Sequence, residues 1–286
     1  MSTPPFLRLP AGVRAERLPT TRGELAVLRA DAAAADGRPP VLLVPGFTGS
    51  KEDFIAVLEP IAAAGHPVTT YDQRGQFESP GTDDPQAYDV AALAEDLLEL
   101  VAATGGPVHL VGHSFGGLVC RAAALADPRA LRSLTLLGSG PSAIPHPSAA
   151  NLGLLAQVLP GMDLPTIWVA KRRLEAAQEL EPPAPQIEDW LRRRFVANHP
   201  VSLLRMAQQL LGEPDRVAEV AALGLPTLVA YGEADDAWPT EVQAEMAQRL
   251  GARTAVISGT GHSPAADRPE QTAEVLLEFW ARVDGA

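Results

Sequence analysis

The segment Leu-Val-Gly-His-Ser-Phe-Gly-Gly-Leu-Val, residues 110–119, constrains the fold of this chain more than any other stretch. An apolar run with strand character ends at Gly112, and the predicted helix Phe115–Ala126 begins directly afterwards. Ser114 therefore lies in a sharp turn between strand and helix, with a glycine two residues before it and another two residues after it. Side chains at those two positions would collide, so the Gly-x-Ser-x-Gly spacing indicates a strained turn that projects the serine above a sheet.

Strand and helix patterns alternate on both sides of this turn. Short runs rich in apolar or β-branched residues predict strands, and longer runs with one apolar face predict helices between them. The predicted strands cover residues 24–30, 39–46, 67–72, 107–112, 131–138, 225–232 and 253–258, and the predicted helices cover residues 52–64, 87–104, 115–126, 240–250 and 268–283. This alternation is typical of an α/β fold with a mostly parallel central sheet flanked by helices.

The alternation stops near residue 140 and resumes near residue 217. The segment "GSGPSAIPHPS" is rich in proline, glycine and serine, and from there to about residue 216 the pattern predicts helices without strands. We therefore predict a core domain formed by residues 1–140 and 217–286. A helical insertion, residues 141–216, interrupts this core and is expected to lie over the ends of the strands.

A serine nucleophile needs a base, and the base needs a group that orients it. His262 is the predicted base, because its glycine-rich loop follows the last predicted strand, and parallel sheets bind ligands at the carboxyl ends of their strands. Asp235, in the loop after strand 225–232, is the predicted orienting acid, with the neighbouring Asp236 as the alternative. His113 lies next to the serine in sequence but is interpreted as structural.

The composition limits the classes of partner and cofactor. The 286 residues carry a formal net charge of −12, and an acidic surface repels both nucleic acid phosphates and anionic membranes. The single cysteine, Cys120, excludes a disulfide framework and a cysteine-rich metal site, and no metal or cofactor is predicted. No apolar run is long enough for a membrane span, and the N-terminus lacks the apolar core of a signal peptide, so we expect a cytoplasmic protein. The expected substrate is a small molecule. The sequence contains no signal for an oligomeric state.

Four segments together resemble the α/β-hydrolase superfamily. They are "VPGFTGSKEDF", "YDQRGQFESPG", "GHSFGG" and the pair "YGEADDAWP" and "GTGHSP". The resemblance covers essentially the whole chain except residues 141–216, where this superfamily carries a helical cap after the sixth strand. It implies the α/β-hydrolase fold and a catalytic triad of Ser114, Asp235 and His262, in the chain order of the superfamily.

The superfamily pattern also implies an oxyanion hole. Two backbone N–H groups hold the negative charge that develops on the acyl oxygen, and the matching positions here are Phe47 and Phe115. The chain departs from the superfamily at two places: Pro45-Gly46 stands where His-Gly is frequent, and Phe77 replaces the second glycine of Asp-x-Arg-Gly-x-Gly. The first departure bears on the oxyanion loop. The second either places an aromatic ring near the site or reshapes a turn.

Four aromatic residues are candidates for a substrate pocket. Phe77, Trp168, Trp190 and Trp238 are expected to line an apolar pocket that suits an acyl or ring-bearing substrate. Ordinary packing between helices is the alternative interpretation of the tryptophans.

Together these features predict a metal-free serine hydrolase that cleaves a carboxylic ester, lactone or thioester through an acyl-enzyme. One alternative uses the same triad for carbon–carbon bond hydrolysis or a non-hydrolytic elimination. An anionic substrate held by the basic clusters 171–173 and 192–194 would favour it, whereas such clusters otherwise form the solvated face of a helix. The second alternative is a non-catalytic small-molecule-binding protein on a hydrolase scaffold. Such proteins usually lack a triad member, and this chain has all three candidates.

Overall fold

An eight-stranded sheet forms the centre of the molecule in the computed structural model, which describes residues 1–32, 37–177, 179 and 181–285. The strands are β1 (Val13–Thr20), β2 (Gly23–Ala30), β3 (Val41–Val44), β4 (Val68–Tyr71), β5 (Val108–His113), β6 (Leu131–Leu137), β7 (Thr227–Gly232) and β8 (Arg253–Ile257). Their order across the sheet is β1-β2-β4-β3-β5-β6-β7-β8. β2 runs antiparallel to both of its neighbours, and all other neighbours are parallel. The predicted mostly parallel sheet is confirmed.

Eleven α-helices accompany the sheet in the described part of the chain. They are α1 (Ile55–Ala63), α2 (Val90–Thr104), α3 (Phe115–Ala126), α4 (Ala149–Val158), α5 (Leu164–Ala177), α6 (Pro185–Val196), α7 (Pro200–Gly212), α8 (Val217–Ala221), α9 (Thr240–Leu250), α10 (Pro264–Asp267) and α11 (Pro269–Asp284). Among these described helices, none combines the length and the hydropathy that a membrane span needs.

The helices cover both faces of the sheet. α1 and α11 pack together on one face, and α2 and α3 pack together on the other. Side chains of β3 alternate between the two layers: Leu42 and Val44 join the cluster of α2 and α3, whereas Val41 and Leu43 join that of α1 and α11. Because helices cover both faces, β3 is buried on both sides, which explains its uninterrupted apolar sequence.

The sequence pattern does not predict β1. This strand reads Val-Arg-Ala-Glu-Arg-Leu-Pro-Thr, and its burial alternates between partly buried and exposed positions after Val13. It lies at one edge of the described sheet, where β2 is its neighbour. Charged residues and a proline suit an exposed edge, where they discourage pairing with another chain, but they obscure the strand signal.

Five helices, α4 to α8, lie between β6 and β7, and the described residues of that stretch contain no strand. Buried residues of α5 and α6, with Leu203 of α7, form a separate apolar cluster. Arg194 of α6 joins this region to the loop after β3. The fully buried Arg194 guanidinium donates to Asp53 Oδ1 at 2.5 Å and to Ser50 Oγ at 3.3 Å. One arginine of the 192–194 cluster is thus a buried ion-pair partner. The division into a core and a cap stays a prediction.

Arg121 of α3 connects the two ends of this insertion. Its side chain is buried and donates to the carbonyl oxygens of Gly140, at 3.2 Å, and of Pro141. The same guanidinium pairs with Glu213 Oε1 at 3.2 Å, just after α7. One buried side chain therefore holds the two ends of the predicted insertion together.

Candidate active site

Ser114 occupies the turn between β5 and α3. Its backbone has φ 54° and ψ −121°, in a region that residues with a side chain rarely adopt. The serine is the last residue before α3, so its hydroxyl lies beside the N-terminus of that helix, where the helix dipole favours negative charge. The predicted strained turn is present.

The two glycines around Ser114 are required by contact with neighbouring backbone. A Cβ at Gly112 would lie 2.5 Å from the carbonyl oxygen of Gly116, and a Cβ at Gly116 would lie 2.4 Å from that of Val44. Both distances are shorter than a side-chain carbon tolerates, so α3 packs this closely only because both positions lack side chains.

The structure brings Ser114, His262 and Asp235 into one hydrogen-bonded chain. His262 Nε2 lies 2.9 Å from Ser114 Oγ, and His262 Nδ1 lies 2.9 Å from Asp235 Oδ1. His262 follows β8 and Asp235 follows β7, so both loops reach the serine from the carboxyl ends of neighbouring parallel strands. Asp236, the alternative acid, is exposed, whereas Asp235 is buried.

Besides His262, two further groups donate hydrogen bonds to the carboxylate of Asp235. Asp235 Oδ1 accepts from the N–H of Ala237 at 3.0 Å, and Oδ2 accepts from Gln243 Nε2 at 3.0 Å. Burial alone would raise the pKa of Asp235, but its bond to His262 and these donors hold that pKa below the usual value. The acid is therefore ionised and fixed in orientation, as an acid that orients a histidine must be.

Gln243 is a site residue that the sequence reasoning missed. It lies on α9, eight positions after Asp235, is fully buried, and donates through Nε2 to both Asp235 Oδ2 and the carbonyl oxygen of Trp238. A glutamine within an amphipathic helix belongs to no motif, so only the packing of α9 reveals this contact.

His113 supports the His262 loop. Its Nε2 lies 2.7 Å from the carbonyl oxygen of His262, and a neutral imidazole donates this hydrogen bond. Burial, followed by the nearby His262, lowers the pKa of His113 to about 3, so the ring is neutral at physiological pH. This contact agrees with the structural interpretation of His113.

The two predicted oxyanion donors belong to segments next to the serine turn. Phe115 is the first residue of α3 and directly follows Ser114. Phe47 follows Gly46, which lies so close to the serine that a Cβ on Gly46 would be 3.0 Å from Ser114 Cβ. Within the described residues, neither the Phe47 nor the Phe115 N–H donates to another protein group. Their assignment as oxyanion donors stays a prediction.

Three of the four predicted pocket residues lie in one apolar cluster beneath α5 and α6. Trp168 and Trp190 belong to it, and Phe77 and Phe47 pack against it. The rings of Phe77 and Trp190 meet edge to face at 5.6 Å between centroids. Phe47, a predicted oxyanion residue, therefore touches the same cluster as the predicted pocket.

Phe77 keeps the backbone conformation of a glycine. Its φ is 38°, in the left-handed region, and its ring also lies under the Lys51 ammonium, 4.8 Å from the centroid. The departure from Asp-x-Arg-Gly-x-Gly hence retains the turn and adds an aromatic ring beneath the inserted helices.

Trp238 lies apart from these aromatics. It is fully buried, packs against Gly140 and donates through Nε1 to the carbonyl oxygen of Ser142 at 3.2 Å. Its ring centroid is 6.4 Å from that of His262, so it borders the site on the Asp235 side. Its role in a pocket stays a prediction.

A model of the alpha/beta hydrolase family matches residues 41–275, which contain Ser114, Asp235 and His262. The chain belongs to the alpha/beta hydrolase family. The predicted fold class and the resemblance to this superfamily are both confirmed.

Individual relatives agree with that assignment. The chain is similar to a putative carbamate hydrolase RutD of Variovorax paradoxus (strain S110), with 30% identity over 87% of this chain and 94% of the relative. It is 27% identical to a pimeloyl-acyl-carrier-protein methyl ester esterase of Aeromonas hydrophila, over 77% of this chain and 87% of the relative. A thermophilic esterase from Thermogutta terrifontis has a similar structure, with a TM-score of 0.75, 24% identity and coverage of 94% of this chain and 99% of that one. The last comparison shows the shared fold.

A second serine–histidine–aspartate chain lies at the opposite end of the sheet. His109 Nδ1 is 2.8 Å from Ser133 Oγ, and His109 Nε2 is 3.2 Å from Asp284 Oδ2. Ser133 and His109 are fully buried near the starts of β6 and β5, without a turn or a helix N-terminus at the serine. Because Ser133 is fully buried, a substrate cannot reach it, and it provides a matched control for Ser114.

The buried His109 predicts a pH dependence of stability. Burial lowers its pKa to about 4, whereas an unfolded histidine titrates near its ordinary value, so only the unfolded state takes up a proton as pH falls below about 6.5. When the pH is lowered from about 7.5 to about 5.5, the unfolding free energy of wild type should fall by about 1 kcal/mol more than that of His109→Gln. Urea unfolding at both pH values measures this difference. An unchanged difference would show that His109 binds its proton equally well in the folded protein.

Proposed function

We propose that this alpha/beta hydrolase is a serine hydrolase that cleaves carboxylic ester bonds of small molecules. Ser114 is the nucleophile, His262 the general base and Asp235 the orienting acid. The observation that carries the proposal is the continuous chain Ser114 Oγ–His262 Nε2 and His262 Nδ1–Asp235 Oδ1, with 2.9 Å at each contact. These distances lie within the reach that proton transfer between nucleophile and base requires.

The reaction proceeds in two halves. Ser114 Oγ attacks the acyl carbon while its proton passes to His262 Nε2, and the Asp235 carboxylate stabilises the imidazolium. When His262 gives that proton to the leaving alcohol, the acyl group remains on Ser114. Water then loses a proton to His262 and attacks the acyl carbon. The bond from that carbon to Ser114 Oγ breaks as His262 returns the proton to Oγ, which releases the carboxylic acid and restores Ser114. A lactone would give a hydroxy acid by the same steps, and a thioester would release a thiol.

The transition state carries its negative charge on the former carbonyl oxygen. We assign the N–H groups of Phe47 and Phe115 as its donors, because both are unpaired within the described residues and flank Ser114. The N-terminus of α3 adds a favourable dipole at the same place. Donors that act on developing charge lower the barrier without tightening the binding of substrate.

The acyl side of the substrate is proposed to be apolar. Phe77, Trp168 and Trp190 share an apolar cluster with Phe47, so a chain or ring bound next to the oxyanion donors would meet aromatic surface. The names of two relatives, carbamate hydrolase and methyl ester esterase, both describe hydrolysis at an acyl carbon. A test panel should therefore contain apolar esters, lactones, thioesters and a carbamate.

The deciding experiment is the intact mass of the protein after treatment with a fluorophosphonate probe. Wild type is expected to gain one probe mass, and Ser114→Ala is expected to gain none. Ser133→Ala is the matched control, because it removes the serine of the buried second chain, and it should be labelled like wild type. Acid quenching during ester turnover should then trap an acyl group on Ser114.

Two outcomes would contradict the proposal. An unlabelled, folded wild type would favour the binding-protein alternative and direct the work to ligand screening. A labelled wild type that cleaves none of the panel would favour carbon–carbon bond hydrolysis or elimination through the same three residues.

A further inference from the structure

Two buried glutamines in the turn after β4 reach the loop that carries Phe47. Gln76 Nε2 donates to the carbonyl oxygen of Gly46 at 2.9 Å, and Gln73 Nε2 donates to that of Pro45 at 2.8 Å. Both glutamine side chains are fully buried, and between them they bind the carbonyl oxygens of Pro45 and Gly46, the two residues between β3 and Phe47. The loop that follows β3 is therefore held from the side by the turn of β4.

The Gly46 carbonyl belongs to the same peptide unit as the Phe47 N–H. A peptide unit is planar and trans, so its carbonyl and its N–H point in opposite directions. Fixing the direction of the Gly46 oxygen therefore fixes the direction of the Phe47 N–H. The Gly46 oxygen also accepts from the N–H of Gly49 at 3.1 Å, which closes the loop locally.

The Gln76 side chain is itself locked in one orientation. Its Oε1 accepts from the backbone N–H of Gln73 at 3.2 Å, so its Nε2 must face the Gly46 oxygen. An inverted amide would set oxygen against oxygen at one end and nitrogen against nitrogen at the other. The contact with Gly46 is thus the only arrangement that satisfies both ends of the amide.

We propose that Gln76 is a positioning residue for the oxyanion hole, acting through the Gly46–Phe47 peptide. It holds the Phe47 N–H towards the acyl oxygen and prevents the peptide from rotating its carbonyl into the site. A donor on the carbonyl also polarises the peptide and strengthens its N–H as a donor. The inference rests on the proposed function, since it assumes that a substrate oxyanion forms next to Ser114.

The expected effect is on kcat. Loss of one oxyanion donor in a serine hydrolase costs about 10²- to 10³-fold in kcat, and misdirecting one of two donors should cost about 10- to 100-fold. Because the donor acts mainly on the charge of the transition state, KM should change by less than about threefold.

The test compares Gln76→Met with Gln209→Met, because Gln209 also accepts from one backbone N–H and donates to one backbone carbonyl oxygen. Gln209 accepts from the N–H of Val90 and donates to the carbonyl oxygen of Tyr88, both at 2.6 Å, away from Ser114. On an ester that wild type hydrolyses, Gln76→Met should lose kcat as stated, and Gln209→Met should retain the wild-type kcat. Gln76→Glu keeps the size of the side chain and its contact with the Gln73 N–H but sets an oxygen against the Gly46 carbonyl, and it should lose at least as much.

Inhibition by a trifluoromethyl ketone separates positioning from a general structural effect. Ser114 Oγ adds to the ketone carbon, its proton passes to His262, and the carbonyl oxygen becomes an oxyanion. The Gln76 variants should bind this inhibitor more weakly by the factor that they lose in kcat/KM. Their affinity for the matching alcohol, which forms no oxyanion, should stay that of wild type.

Failure of this proposal differs from failure of the proposed function. A wild type without a probe adduct on Ser114 overturns both. A reactive wild type whose Gln76 variants keep their kcat and ketone affinity overturns only the role of Gln76. Equal losses in Gln209→Met, or equal weakening of the ketone and the alcohol, overturn it as well.

Discussion

Replacing Asp235 with asparagine is expected to lower kcat/KM by about 10³- to 10⁴-fold while leaving the protein folded. Both carboxylate oxygens accept hydrogen bonds, Oδ1 from His262 and Ala237 and Oδ2 from Gln243. An asparagine amide must therefore turn its NH₂ group towards one of these donors. If it faces His262, the imidazole holds the wrong tautomer and its Nε2 cannot take the proton of Ser114.

The opposite orientation of the amide is also unfavourable. It would face the NH₂ group of Gln243, whose Nε2 is already committed to the carbonyl oxygen of Trp238. Rotating the Gln243 amide would place Gln243 Oε1 against the carbonyl oxygen of Trp238, so Gln243 cannot reorient to accept from the new asparagine. The loss of activity should consequently appear in kcat, since no substrate contact is removed.

Asp236→Asn is the matched control for this prediction. The two aspartates are adjacent and carry the same charge, but Asp236 is exposed and its carboxylate is not part of the chain to Ser114. Its asparagine variant should retain activity within about threefold, in line with the small effects of surface substitutions. Steady-state kinetics on one ester compares both variants, and a reversed order of activities would assign the acid to Asp236.

Ser114, Asp235 and His262 could be located from the sequence because each one lies in the turn or loop that follows a strand. In a parallel sheet the carboxyl ends of neighbouring strands meet at one edge, so Ser114, Asp235 and His262 had to lie close together once the strands were predicted. The glycines beside Ser114 supplied the sharp turn. The Gly-x-Ser-x-Gly motif and the predicted parallel sheet thus both placed the serine at the same edge of the sheet.

The supporting residues could not be located in this way. Gln243 reaches Asp235 only because α9 packs with one particular rotation, and Gln76 reaches Gly46 across 30 positions of sequence. Arg194 is a buried partner of Asp53, although its sequence neighbours suggested a solvated helix face. Such contacts depend on tertiary packing, which periodicity does not report.

The largest expected loss of stability follows from Gly116→Ala. The new Cβ would lie 2.4 Å from the carbonyl oxygen of Val44 and 2.6 Å from that of Pro45. Both atoms are backbone at the end of a central strand and have no rotamer with which to move away. We expect a loss of about 3 kcal/mol or more in unfolding free energy, at the upper end of the usual cost of overpacking.

Gly153→Ala on α4 is the control. Apart from the backbone of α4 itself, no atom of the described residues lies within 4 Å of a Cβ at that position, so alanine should stabilise the helix by about 0.5–1 kcal/mol. Urea unfolding of both variants measures the two changes. A Gly116→Ala protein as stable as wild type would show that α3 does not pack against the end of β3 as described.

The same substitution should also reduce activity in the fraction that stays folded. To relieve the contact, α3 must move away from Val44 and Pro45, and this motion carries Phe115 away from Phe47. A shift of about 1 Å between positioned groups is enough to cost about 10²-fold in rate. Loss of kcat in a folded Gly116→Ala protein, with Gly153→Ala unchanged, would therefore connect the glycine of the serine turn to the spacing of the two oxyanion donors.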